Sequence, residues 1–253
     1  MDSGFSLAAV GAGPLLAVAA VAFCASVFGG LSGFGTGLVL PVFLAPVVGV
    51  AQVIPVMAVA MLFNNGGRVI AFRREIAWPT ARRFLLLGLP ACIASAWGYT
   101  RLDARAIGIA LGLFLLASVP LRRWLRRIDL QLGPRGQLAA GALFGAVNGT
   151  LTGAGVLLVA FLMATGAAAA AVVATDATIS VLMGVAKVMV FGGFSALDLP
   201  LAAFGVAVGV FSLPGAFVAR WLVTRLPAPL HAGLIEAVIV AGGTILLWRA
   251  LAG

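Results

Sequence analysis

Eight apolar stretches, roughly 7–46, 50–72, 80–98, 104–121, 137–165, 169–191, 199–220 and 230–251, follow one another with short polar connections between them. Most approach or exceed the ~20 residues a helix needs to cross a hydrocarbon core about 30 Å thick. Lipid offers backbone amides no partners, so such a chain folds as helices or as a closed barrel, and unbroken apolar runs fit helices. The expectation is an all-α, polytopic membrane protein with about eight membrane segments and the lipid bilayer as its solvent. Composition agrees, with 63% of the 253 residues apolar and 9% charged, against roughly 45–50% and about 25% in soluble domains. Asp2 stands where a cleaved signal peptide has basic residues, so the N-terminal stretch is expected to remain as part of the first segment.

The formal charge of +9 comes from arginines that cluster between the apolar runs. That placement reads as a topology signal, with no nucleic-acid partner. Cys24 and Cys92 lie in different segments without CxxC spacing, and packing explains them better than a metal or disulfide. His231 falls at an expected interface near Arg225. There is no acid–histidine constellation, no GxSxG elbow and no P-loop. The expectation is neither an enzyme nor a cofactor protein, and transport, if uphill, would run on an ion gradient or a partner. Trp78, Trp97, Trp124, Trp221 and Trp248 fall near segment ends, as interfacial anchors do.

The first and fifth segments are longer than one crossing requires, and each is broken by glycines. The first contains Gly29 to Gly37, reading GGLSGFGTG, and the fifth contains Asn148 to Gly155, reading NGTLTGAG. Phe28-Gly29 and Phe144-Gly145 lie 116 residues apart, close to half the chain. After each break come a short apolar arm and a helix with a basic residue deep inside it, Arg68 in one half and Lys187 in the other. This is an internal repeat. It divides one membrane domain into residues 1–130 and 131–253.

Arg68, Arg73, Arg74, Arg82 and Arg83 mark the second connection as cytoplasmic, and Arg122, Arg123, Arg126, Arg127 and Arg135 mark the middle one. Arg220 and Arg225 place the seventh connection on the same side, whereas 192–198 has no basic residue and reads as external. These assignments agree if the fifth segment enters and turns back, leaving three full crossings per half and two inverted repeats. A broken single crossing is the alternative.

Irregular backbone at membrane depth is tolerated where protein or a wet cavity surrounds it. Paired broken helices from two repeats can turn their N-termini, with free amides and a positive dipole end, toward an anion. Glycine allows close approach, which nominates Gly33, Gly35, Gly37, Gly149 and Gly153 as binding positions. Ser32, Thr36, Asn148, Thr150 and Thr152 add hydrogen-bond donors suited to sulfonate, sulfite or carboxylate oxygens. Close packing of small residues is the competing explanation. A dinucleotide-loop reading of Gly33 to Gly37 fails for want of a preceding strand.

Arg68 follows Asn64 by four residues, so both can address one cavity. Lys187 is the sole lysine. An intramembrane cation costs at least about 2.5 kcal/mol unless paired, hydrated or snorkelling, and snorkelling is the plain alternative for both residues. Asp176, beside Thr175 and Thr178, is the candidate for a coupling proton, ahead of Glu236, with a structural bridge to a basic residue as the other reading.

The glycine-rich break running into Leu38-Val39-Leu40-Pro41, its copy at Asn148 to Gly155, and the eight-segment spacing resemble the TauE/SafE family of sulfite and sulfonate transporters, also called the toluene sulfonate uptake permeases. The resemblance covers nearly the whole chain. Thr36 in the first break, and Leu151 with Ala154 in the second, depart from the family's glycine-richest form. What the resemblance implies is an inner-membrane permease of bacterial type, moving a small anion, often a sulfur oxyanion or sulfonate, with a proton or sodium ion as a coupling cation. Alternating access around a midplane site is the corresponding mechanism. A membrane scaffold or accessory subunit is the rival class, but polar residues line both breaks, as a carrier requires.

Overall fold

The computed structural model describes the backbone of residues 19–24, 26–27, 36–125, 127, 130–223 and 228–252, with the side chains of these except 122, 216–217, 219–223, 228–236 and 238. Ser32, Gly33, Gly35, Arg126 and Arg225 lie outside the described residues, as do the side chains of Arg220, His231 and Glu236.

Every regular element among the described residues is a helix. After helical residues 19–24 and 26–27 come α1 (Thr36–Val48), α2 (Val50–Ala71), α3 (Trp78–Tyr99), α4 (Ala104–Leu125), α5 (Pro134–Thr150), α6 (Gly155–Met163), α7 (Ala169–Gly193), α8 (Leu199–Val223) and α9 (Ala228–Ala252). Breakers set several boundaries. Gly49, at φ 82°, turns α1 into α2, and Pro79 and Pro134 enter the first turns of α3 and α5, where the missing N–H costs nothing. Asp103 and Asp198 accept the N–H groups of Ala106 and Leu201, capping α4 and α8. Three of the described helices, α2, α4 and α7, are long and apolar enough to cross a membrane by length and composition. The protein is an all-helical, multi-pass membrane protein.

The fifth apolar stretch turns back. At 1.5 Å per residue, α5 and α6 laid end to end would separate their outer ends by about 40 Å. Instead the Leu132 N–H, just before α5, donates to the Ala164 carbonyl, just after α6, at 2.8 Å. The chain therefore enters, breaks at 151–154 and returns to the end it came from. The break starts later than its glycines suggest, because Asn148, Gly149 and Thr150 form the last turn of α5.

Close contacts fix the helix directions. Along α3, Phe84, Gly88 and Cys92 meet Gly141, Gly145 and Gly149 of α5 in turn, so these two helices run parallel, with glycines admitting backbone to backbone. Gly205 and Gly209 of α8 rest on Val56 to Phe63 of α2, also parallel, while Gly184 of α7 meets Ala58 and Leu62 of α2 and Asp176 reaches Arg68, which makes α2 and α7 antiparallel. Gly108 and Gly112 of α4 face Ala250 and Gly243 of α9, again antiparallel. Residues 73–74, 127–135, 164–168 and the end of α8 consequently share one end of the molecule. At the other end Tyr99 donates to the Ala51 carbonyl at 2.8 Å and packs on Phe191.

Candidate anion-binding site

The end of the first glycine-rich stretch meets the second break. Gly37, in the first turn of α1, lies against Gly153, so that a methyl group on Gly37 would stand 3.0 Å from both Gly153 Cα and N. Gly153 adopts φ 82°, a conformation that favours glycine, and a side chain there would run into Leu38. Gly37 and Gly153 are 116 residues apart, as are Thr36 and Thr152, and both threonines are buried. The start of α6 thus meets the first described turn of α1 at matched positions, and the positive end of the α6 dipole lies toward the meeting point.

The cations lie on either side of this crossing. Each stands eighteen residues beyond the start of its helix, Arg68 from Val50 in α2 and Lys187 from Ala169 in α7. Because α2 and α7 run in opposite directions, Arg68 is near the arginine-rich end and Lys187 is on the opposite side of the break. Asp176, the partner of Arg68, and Lys187 are separated along α7 by about 16 Å.

Lys187 is buried at 6% exposure. Its Nζ donates to the Asn148 carbonyl at 2.9 Å, in the last turn of α5 beside the break. Among the described residues no carboxylate pairs with it. A carbonyl at a helix C-terminus carries partial negative charge, which offsets part of the ammonium's cost but does not neutralise it. The Asn148 side-chain amide points the other way, toward Cys92 Sγ at 3.9 Å and Met183 Sδ at 3.8 Å.

Arg68 is differently placed. Its Nη1 lies 2.9 Å from Asp176 Oδ2, with 26% of the Arg68 side chain and 5% of the Asp176 side chain exposed. The same nitrogen donates to Asn65 Oδ1 at 3.2 Å. The hydrogen-bonded neighbour is therefore Asn65, three residues away, with Asn64 half-buried alongside. Thr150 donates its hydroxyl to the Ala146 and Val147 carbonyls of its own helix, and Gly149 is packed against Cys92 and Ser95 of α3. These two positions belong to the helix end rather than to the open break. Of the sequence-nominated residues, the structure thus brings together Thr36, Gly37, Thr152 and Gly153 at the crossing, Asn148 with Lys187 on one side, and Arg68 with Asp176 on the other.

Cys92, Met183 and Asn65 surround the site without having been singled out for it. Asn65 carries a local signal, since three-residue spacing puts it on the Arg68 face as readily as four. Cys92 and Met183 reach it through helix packing that no local spacing encodes. No group of three or more metal-ligating side chains occurs among the described residues.

A family model described as Sulfite exporter TauE/SafE matches residues 18–246. No curated protein and no solved structure matches the chain.

Proposed function

The chain belongs to the TauE/SafE sulfite exporter family, and on that premise we propose that it is a secondary carrier for sulfite or a small sulfonate in a bacterial inner membrane, working by alternating access. Membership supports a membrane permease for a sulfur-containing anion. The observation that carries the site is Lys187, a buried cation with a backbone carbonyl and no described carboxylate for company, beside the α5–α6 break where Gly37 meets Gly153. A charge left uncompensated in lipid is unfavourable unless something completes it. A small anion held between Lys187 and the two facing glycine-rich stretches would do so.

In this reading Thr36, Gly37, Thr152 and Gly153 contact the anion at the crossing, with Ser32, Gly33 and Gly35 completing the first break and Asn148, Gly149 and Thr150 forming the helix end that leads into the second. Lys187 and Asn64 with Arg68 set the potential on either side. Residues 1–130 and 131–253 are two inverted repeats, an arrangement supported by the antiparallel course of α2 against α7 and of α4 against α9. Rocking one repeat against the other would expose the crossing to each side in turn.

The test is flux of radiolabelled sulfite in proteoliposomes, with sulfate, thiosulfate, taurine and an aryl sulfonate as competitors. Wild type should transport at least one of these in a saturable way, and Lys187→Gln should not. Saturable flux unchanged in Lys187→Gln would remove the proposed site, and no flux with any of them would remove the carrier reading.

A further inference from the structure

Among the described residues the carboxylate that neutralises Arg68 has no counterpart at Lys187. Asp176 stands seven residues beyond the start of α7, and the corresponding place on α2 is Met57. The pair it makes is incomplete. Oδ2 takes Arg68, but Oδ1 is buried and has no hydrogen-bond partner among the described residues. The adjacent hydroxyls are occupied elsewhere, Thr178 donating to the Ala174 carbonyl and Thr175 accepting from the Ala77 N–H. A buried carboxylate with one unsatisfied oxygen is held less well than its short ion-pair distance suggests. Arg68, partly exposed, lies near the arginine-rich end.

The geometry points to Asp176 as a built-in competitor for the anion at Arg68: an anion reaching Arg68 displaces the carboxylate, which then takes up a proton. This rests on the carrier reading above. No covalent bond changes. The guanidinium transfers its hydrogen bonds from Oδ2 to an oxygen of the anion, and Asp176 gains one proton from water. A monovalent anion and a proton then enter the site together, with no net charge added.

Among the described residues Asp176 is ion-paired with Arg68 alone. From α2 it faces Arg68. Arg73, Arg74 and Glu75 of the α2–α3 connection and Arg82 of α3 are exposed, Arg83 donates to Gln137 of α5, and Cys92 lies further along at the level of Asn148. Arg135 of α5 is exposed, α6 has no titratable side chain, and Lys187 is about 16 Å away along α7 itself. Displacement by an anion therefore leaves the carboxylate buried and alone, and protonation is the route that removes its charge.

Calorimetric titration of the detergent-purified chain with sulfite, sulfate and methanesulfonate, in two buffers of different ionisation enthalpy, counts the protons taken up. After correction for the anion's own ionisation, wild type should take up about one proton per anion bound. Asp176→Asn should take up none, and should bind about tenfold or more tightly, as expected when a competing state that hides most of the sites is removed. A wild-type count of zero, or an Asn variant that keeps the uptake or binds no more tightly, overturns the proposal while leaving the carrier reading intact. If wild type binds none of the three, both fall. The wild-type count needs no variant, so misfolding of Asp176→Asn would not shield the idea.

Discussion

Arg68 and Lys187 hold corresponding places in two helices that run in opposite directions, yet one is paired with a carboxylate and the other with a backbone carbonyl. The framework around them is closely matched. The helix α2 packs on α7 and α8, α7 packs on α2 and α3, and glycines admit the close approaches on both sides. A matched framework offers two openings of similar geometry, so what distinguishes the two ends is side-chain charge. Any preference for direction or coupling must then be sought in Asp176 and in what compensates Lys187, rather than in the helix arrangement.

The sharpest way to break this comparison is to remove the cation from each side in turn. Arg68→Gln leaves Asp176 buried without its partner, and loss of one member of a buried pair costs about 3–5 kcal/mol. Thermal unfolding in detergent should show that loss, and Arg68→Gln combined with Asp176→Asn should recover most of it. Equal stability of the single and double variants would mean that the ion pair holds nothing together. Lys187→Met should behave in the opposite sense. Replacing a buried, incompletely compensated ammonium by an apolar side chain should leave stability unchanged or raised, while sulfite binding weakens by about 1.5–3 kcal/mol, the range for a hydrogen bond to a charged group. Unfolding of Lys187→Met with unaltered binding would make the lysine a structural residue.

Next in size is the crossing itself. Gly153→Ala forces a side chain into a left-handed backbone conformation and against Leu38, at a cost on the order of 1–3 kcal/mol. Transport should fall further than stability does, because the displaced atoms include Leu38 and the Gly37 carbonyl at the crossing. Gly66→Ala is the comparison: it has open space around it within a helix and should be neutral or slightly stabilising. If both glycine variants transport equally well, the crossing of the breaks is not where the anion sits.

Much of this is legible in the sequence. Apolar length marked the helices, and Pro79, Pro134 and Gly49 mark where three of them begin. Arginine placement agrees with a fifth stretch that turns back, with a broken single crossing as the alternative, and the Leu132–Ala164 hydrogen bond closes that hairpin. The partners at the site were less legible. Lys187 meets a main-chain carbonyl, which no side-chain pattern announces. Arg68 takes Asn65 because three- and four-residue spacings share a helix face, and takes Asp176 because two distant helices cross there. The polar run Asn148 to Thr152 also divides in a way composition does not show, its first three residues ending α5 and Thr152 lying in the open break.

The smallest expected effect separates two neighbours that sequence places together. Thr175 and Asp176 are adjacent and both buried, but the Thr175 hydroxyl accepts the Ala77 N–H at 3.0 Å, tying the residue before α3 to α7, whereas Asp176 turns toward α2. Thr175→Val keeps the shape and removes that acceptor, leaving an amide short of a partner at the entry to α3, a loss of about 1 kcal/mol. Unfolding temperature should drop accordingly. Sulfite affinity and its accompanying proton count should not change, since the Arg68–Asp176 geometry does not pass through the hydroxyl. A changed proton count in Thr175→Val would show that the pair is positioned by its neighbour, and the division between a structural threonine and a titrating aspartate would have to be given up.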